Sequence, residues 1–204
     1  RAITELEPFA PTFVSVTYGA GGTSRDTTVR IVERIAKETS LLPVAHLTCV
    51  GHTTAELDEI LQELSAAGVN HVMALRGDPP GGPGSPWTTT ESGLDHADDL
   101  VAFIKDTIDA RVGVAAFPEG HVDAPTLEAD ALVLKAKQDA GAEFAVTDMV
   151  LRASDYVSLL QRASAVGVDI PIIPGIMPIL NLRSMQRMVE FSRRELPAEV
   201  VARL

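Results

Sequence analysis

With 204 residues and 46% hydrophobic content, the chain has room for one domain with a sizeable core and is too apolar to be disordered. Its 17 Lys and Arg against 28 Asp and Glu leave a formal net charge of -11, which argues against nucleic acid or an anionic membrane surface as partner, because both select basic patches. A small molecule is the expected ligand. The single cysteine, Cys49, permits no internal disulfide and, following the apolar run from Val44, reads as core rather than nucleophile. No apolar stretch approaches the length of a bilayer span and the N-terminus carries no signal-peptide pattern, so a cytoplasmic protein without membrane association is expected.

Arg1 to Glu7 reads as the tail of a helix already in progress. Phe13-Val-Ser-Val-Thr-Tyr-Gly-Ala-Gly-Gly is a β-branched and aromatic run closed by glycines, hence a strand and a turn. Asp26 to Lys37 follows with Val29, Val32, Ile35 and Ala36 at helical spacing. The same unit then repeats. Pro43 to Val50 is a strand, and Thr53-Thr-Ala-Glu56 is a capping box opening a helix with a Leu57, Ile60, Leu61, Leu64 stripe, ended by Gly68. His71 to Arg76 is a third strand, with a long loop from Pro79 to Gly93 and a helix carrying Ala97, Val101, Ile104 and Ile108. Arg111 to Pro118 and Thr126 to Ala140 form the fourth pair. Phe144 to Val150 is the fifth strand, with Ser154 as N-cap of its helix. In Ile170 to Pro178 the prolines confine the sixth strand to a few residues, and a helix with Leu182, Met185, Met188 and Val189 follows.

Six strand-helix units with short connections imply a parallel α/β domain, since right-handed crossovers lay the helices outside the sheet. The alternatives are an open doubly wound sheet and a (β/α)8 TIM-type barrel. A full barrel has eight units in about 250 residues, and the preferred reading is one partial barrel domain over residues 1–204 that covers six of them.

In such a barrel the chemistry lies where strands end. Residues at or beyond those ends are Thr17, His46 and Thr48, Asp78, Glu119 and His121, Asp148, and Asn181. Arg76-Gly77-Asp78 stands out because it ends an apolar run abruptly and precedes a Pro/Gly-rich loop, read as a lid or ligand wall and not as a P-loop, since no Lys-Ser/Thr follows. Gly19-Ala-Gly-Gly-Thr-Ser24 has the strand-to-helix context of a dinucleotide fingerprint but Ser24 at its third glycine position. No His-x-His, His-Glu-x-x-His or cysteine pair supports a metal site. Lys137 lies within a helix, where solvation is the default reading and a Schiff base is not favoured.

Taken in order, Val16-Thr-Tyr-Gly-Ala20, His46-Leu-Thr-Cys49, Ala74-Leu-Arg-Gly-Asp78, Ala115-Ala-Phe-Pro-Glu-Gly-His121, Asp139-Ala-Gly-Ala142 and Pro174-Gly-Ile-Met-Pro178 resemble the methylenetetrahydrofolate reductase family. The resemblance implies a (β/α)8 barrel that reduces 5,10-methylenetetrahydrofolate to 5-methyltetrahydrofolate with a nicotinamide hydride, usually relayed by FAD. It places Thr17, His46, Arg76, Gly77, Asp78, His121 and Lys137 at flavin-contacting positions. Asp78, Thr17 and Asp148 become the expected catalytic residues, and Asp78, Asp148 and Leu182 the expected folate contacts. At Asp78 a carboxylate would stabilise the cationic iminium form of the folate.

Departures from the family pattern fall mainly on the flavin side: Phe117 in place of Tyr, Val133 in place of Asn, Ala136 in place of Arg, and Asp148 in place of Gln. Leu182 replaces an aromatic. An apolar side chain cannot pair with a phosphate, so the expectation is a divergent reductase with weakened or absent FAD binding, in which NADH or NADPH passes hydride directly to folate. A FAD-relayed reductase and a non-catalytic folate-binding relative are the alternatives. The family's general acid belongs to a first strand that this sequence does not contain. No basic cluster assignable to a 2′-phosphate chooses between NADH and NADPH, and no feature sets an oligomeric state.

Overall fold

The computed structural model describes residues 2–18, 25–79, 81–82, 85–178, 183, 185–186, 189 and 196–201. Helix α1 (Ala2–Leu6) and a 3-10 turn (Glu7–Phe9) lead into β1 (Val14–Val16), and α2 (Arg25–Glu38), β2 (Pro43–Thr48), α3 (Thr54–Ala66), β3 (His71–Leu75), α4 (Ala97–Thr107) and β4 (Arg111–Ala116) follow. Then come α5 (Leu127–Asp139), β5 (Phe144–Met149), α6 (Ala153–Ala165), β6 (Ile172–Gly175) and α7 (Ala198–Val201). Arg183, Met185, Gln186 and Val189 are also helical, with Met185 and Val189 buried; Leu182, Met188, Asn181 and Gly19 to Ser24 lie outside the described residues.

The strands are ordered β1-β2-β3-β4-β5-β6 in one sheet, with β1 to β4 and β5 with β6 paired in parallel. A doubly wound sheet must reverse its strand order partway, as in 3-2-1-4-5-6. Sequential order has no reversal, so the fold is a partial (β/α)8 barrel of six strand-helix units. The chain forms two compact units, residues 1–77, 88–114 and 140–143 in one, and residues 78–87, 115–139 and 144–204 in the other. Among the described residues no helix is long and apolar enough to cross a membrane.

In the first unit the core is built from Val44, Ala45 and Leu47 of β2, Val72 to Ala74 of β3, and the α3 and α4 stripes Leu57, Ile60, Leu61, Leu64, Leu100, Val101 and Ile104, all buried. These near-continuous apolar strands are what burial on both faces demands. The α3 start is the expected capping box: Thr53 Oγ1 accepts from Glu56 N at 3.2 Å, and Glu56 Oε2 accepts from Thr53 N at 2.8 Å. Thr53→Ala should lower stability by about 1 kcal/mol in urea denaturation, the usual worth of an N-cap; an unchanged midpoint would show that the box is idle.

At the opposite end of the strands Glu143 joins Lys105 at 3.1 Å and Arg111 at 2.6 Å, while Lys105 also donates to Ala110 O at 3.0 Å. In barrels that end serves stability.

One helix start differs from expectation. The N-cap of α6 is Arg152, not Ser154, which lies inside the first turn; Asp155 N already donates to Arg152 O at 3.1 Å. Arg152 gives no side-chain cap, so the hydroxyl that looked like a cap was a poor guide to where the turn begins.

Candidate active site

Each candidate lies within one unit. In the first, Thr17 directly follows β1 and is exposed; its carbonyl accepts from the hydroxyl of buried Thr28 on α2 at 3.2 Å. His46 lies on β2 opposite Met73, half-buried, and burial lowers its pKa, favouring the neutral ring. Cys49 is core, as expected: it is fully buried, its thiol is 3.3 Å from Arg76 O, and burial pushes its pKa up to about 11. A thiol so protonated is no nucleophile at neutral pH.

The β2 and β3 ends are zipped beyond the strands themselves, with Cys49 N donating to Leu75 O at 3.1 Å and Val50 N to Arg76 O at 3.0 Å. Gly77 then turns away with φ 83°. A Cβ there would lie 2.3 Å from Val50 Cγ1 and 3.1 Å from Thr48 Cβ. Position 77 therefore needs glycine twice over, for its backbone angle and for the space. Asp78, with which the second unit begins, is exposed.

In the second unit the loop after β4 and helix α5 form a polar cluster. Lys137 is 8% exposed, donates to Ala115 O at 3.0 Å, and stands 5.8 Å from the centroid of Phe117. The solvated lysine expected from the sequence is thus corrected: the ammonium turns inward and satisfies a strand-end carbonyl. His121 packs edge-on to Phe117, ring centroids 4.8 Å apart, and its Nδ1 accepts from Asp123 N at 3.1 Å. Its backbone N donates to Asp130 Oδ1 at 3.3 Å. Arg162 of α6 reaches Pro118 O at 2.9 Å and Ser158 Oγ at 2.6 Å. On the outer side of α5, Val133 is 47% exposed and Ala136 is exposed.

Asp130, only 7% exposed, is a functional candidate that sequence reasoning missed. Burial raises its pKa, outweighing the hydrogen bond from His121 N and the charges of Lys137, His121 and Arg162. A carboxyl whose folded pKa exceeds its unfolded one supports the fold when protonated and withdraws that support as pH rises through the folded value. Asp130→Asn keeps an acceptor for His121 N without the charge, so its thermal midpoint should exceed the parent's at pH 7. The gain should vanish below about pH 4, where the unfolded carboxyl is also protonated; a gain independent of pH would contradict this. Retaining a destabilising buried acid is a mark of functional sites.

Asp148 sits in a β-bulge, since the β5-β6 register shifts between Val146 and Met149. Its Oδ1 accepts from Met149 N at 2.7 Å, and Thr147 Oγ1 accepts from Gly175 N at 2.9 Å. A Cβ on Gly175 would lie 2.4 Å from Thr147 O, so the bulge requires glycine opposite it. Bulges of this kind re-aim side chains beside active sites. Thr147 and Gly175 carried no sign of this in the sequence beyond the glycine itself.

Among the described residues no group of three or more His, Cys, Asp and Glu is arranged to hold a metal. A family model, Methylenetetrahydrofolate reductase, matches residues 1–204. The chain is 38% identical over 198 residues to the 5,10-methylenetetrahydrofolate reductase of Escherichia coli (strain K12), covering 97% of this chain and 64% of that protein. It is 35% identical over 212 residues to Methylenetetrahydrofolate reductase (NADH) 1 of Arabidopsis thaliana, covering 98% of this chain and 35% of that one. The chain thus spans less than two thirds of these relatives. Solved structures with a similar fold include an oxaloacetate acetylhydrolase (TM-score 0.61, 12% identity, 91% of this chain and 68% of that one). Another is 2,3-dimethylmalate lyase, a PEP mutase/isocitrate lyase superfamily member (TM-score 0.58, 14% identity, 99% and 84%). At such identities they speak to the fold alone, whereas the match along all 204 residues shows that the chain belongs to the methylenetetrahydrofolate reductase family.

Proposed function

We propose that this chain is the catalytic part of a cytoplasmic enzyme, one partial barrel domain, that reduces 5,10-methylenetetrahydrofolate with NADH or NADPH by direct hydride transfer. Opening of the folate's five-membered ring with protonation at N10 gives the cationic iminium. The dihydronicotinamide C4 then delivers hydride to the methylene carbon, leaving 5-methyltetrahydrofolate and the oxidised nicotinamide. The Asp78 carboxylate, exposed after the Gly77 turn, stabilises that cation. Thr17 and Asp148, each at the end of a strand, are the other proposed catalytic residues, with Asp148 and Leu182 contacting folate.

The observation that carries the direct route is the α5 face. Val133 and Ala136 present apolar atoms to solvent. These residues do not fit the phosphate-bearing half of FAD, which needs charged or hydrogen-bonding partners. A resident flavin must stay bound through every turnover. A nicotinamide nucleotide is released each time and works at micromolar to millimolar KM, so weak phosphate contacts suffice for it. The FAD-relayed reading draws its support from His46, Arg76, Gly77, His121 and Lys137, all retained.

Isotope retention tests the route. With nicotinamide deuterated at the transferred position, direct transfer puts the label fully into the product methyl group. A relay through a flavin N–H loses label to water, and a largely unlabelled methyl group would overturn the proposal.

A further inference from the structure

A regular parallel ladder repeats its hydrogen bonds every second residue. Ala145 N donates to Pro171 O at 2.8 Å, so an unbroken β5-β6 ladder would bring Met149 N to Gly175 O. It is Val150 N, one residue later, that donates to Gly175 O, at 2.9 Å. The pairs Val146 with Ile173 and Met149 with Gly175 confirm the slip, with two residues on β5, Thr147 and Asp148, set against Pro174 alone on β6. Met149 N donates to Asp148 Oδ1 at 2.7 Å. The slip and the direction of the Asp148 carboxylate therefore belong to one arrangement.

Thr147 holds that arrangement. It is 5% exposed, and its Oγ1 accepts from Gly175 N at 2.9 Å while donating to Asp148 O at 2.6 Å. The peptide unit between Asp148 and Met149 is thus gripped at both ends by side chains, its carbonyl by Thr147 and its N–H by Asp148. A hydroxyl can donate and accept at once, and a β-branched carbon suits a strand. Valine has nearly the same shape and neither capacity. Serine keeps both.

We propose that Thr147 is a positioning residue for the reaction, holding the β5-β6 slip so that the Asp148 carboxylate is aimed at the folate. This rests on the reading of Asp148 as a folate contact, but the coupling of Thr147 to Gly175 and Asp148 is measurable without any ligand. Two amides report it: Gly175 N–H, which Thr147 accepts, and Met149 N–H, which the Asp148 carboxylate accepts.

The experiment combines steady-state kinetics with amide resonances and hydrogen exchange in the parent, Thr147→Val, Thr147→Ser, Asp148→Ala and the Val/Ala double variant. Thr147→Val should speed exchange of the Gly175 amide by roughly three- to tenfold, the worth of one hydrogen bond, and move the Met149 amide resonance. Thr147→Ser should return both towards the parent. In kcat/KM for methylenetetrahydrofolate, Thr147→Val should lose roughly three- to tenfold, and Thr147→Ser should recover most of it. The double variant should be no worse than Asp148→Ala alone, because a residue that acts only through another adds nothing once that other is gone. Multiplying losses in the double variant, or Gly175 and Met149 amides indifferent to Thr147→Val, would overturn the proposal. Should Thr147→Val not fold, the parent decides: a Gly175 amide exchanging as fast as an exposed loop amide overturns it. Asp148→Ala as active as the parent would overturn it too, while leaving the direct-hydride reading standing. If the parent oxidises no nicotinamide nucleotide with methylenetetrahydrofolate, the functional reading fails, and the two amides still decide whether Thr147 directs Asp148.

Discussion

Replacing Asp78 by Asn is expected to lower turnover by roughly two to three orders of magnitude and to leave stability nearly unchanged. The magnitude is that of removing one group aimed at charge in a reacting complex. The amide has the same shape and remains polar, but it cannot offset the charge of an iminium. Asp78 is exposed, and substitutions at such positions away from special backbone usually shift stability by no more than about 0.5 kcal/mol. Steady-state rates together with a thermal melt check both halves. Unchanged turnover would remove Asp78 from the chemistry, and a large loss of stability would make its role structural.

The second large effect is at Gly77. Gly77→Ala forces a side chain into a backbone with φ 83° and places its Cβ 2.3 Å from Val50 Cγ1. Strain at positive φ and overpacking each cost on the order of 1 to 3 kcal/mol, so a loss of roughly 2 to 4 kcal/mol in urea denaturation is expected. If Asp78 acts as proposed, turnover should fall as well, because Asp78 follows directly in the chain. Adding Val50→Ala removes the nearest clashing atom, and the double variant should regain the packing share of the loss but not the backbone share. Equal stability of Gly77→Ala and the parent would show that the turn relaxes freely and does not fix Asp78.

Much of this arrangement is legible in the residues themselves. The apolar runs Val44 to Thr48 and Val72 to Leu75, punctuated by glycines, are β2 and β3, because buried parallel strands need apolar residues on both faces. Thr53 and Glu56 announce a helix start through chemistry that works locally. Arg76-Gly77-Asp78 marks the end of β3, and the structure adds why the middle residue is glycine: Val50, 27 residues earlier, leaves no room.

Helix α5 is where the pattern misleads. Its buried positions are Asp130, Ala131, Leu134 and Lys137, while Leu132 and Val133 face outward. Read by hydropathy, the charged residues belong in water and the branched ones inside. The inversion depends on partners distant in sequence, Ala115 O for Lys137 and the His121 N–H for Asp130, which no local rule supplies. Such breaches of binary patterning gather at functional sites. The bulge at Asp148 was hidden for the same reason, since it exists only between β5 and β6.

The most direct test of the account follows nicotinamide oxidation with methylenetetrahydrofolate in protein verified free of flavin, before and after FAD is added. The account predicts oxidation without flavin, at a rate that FAD does not raise, with Val133 and Ala136 marking a lost cofactor surface. Oxidation that begins only when FAD is supplied would contradict it and establish the relayed reaction.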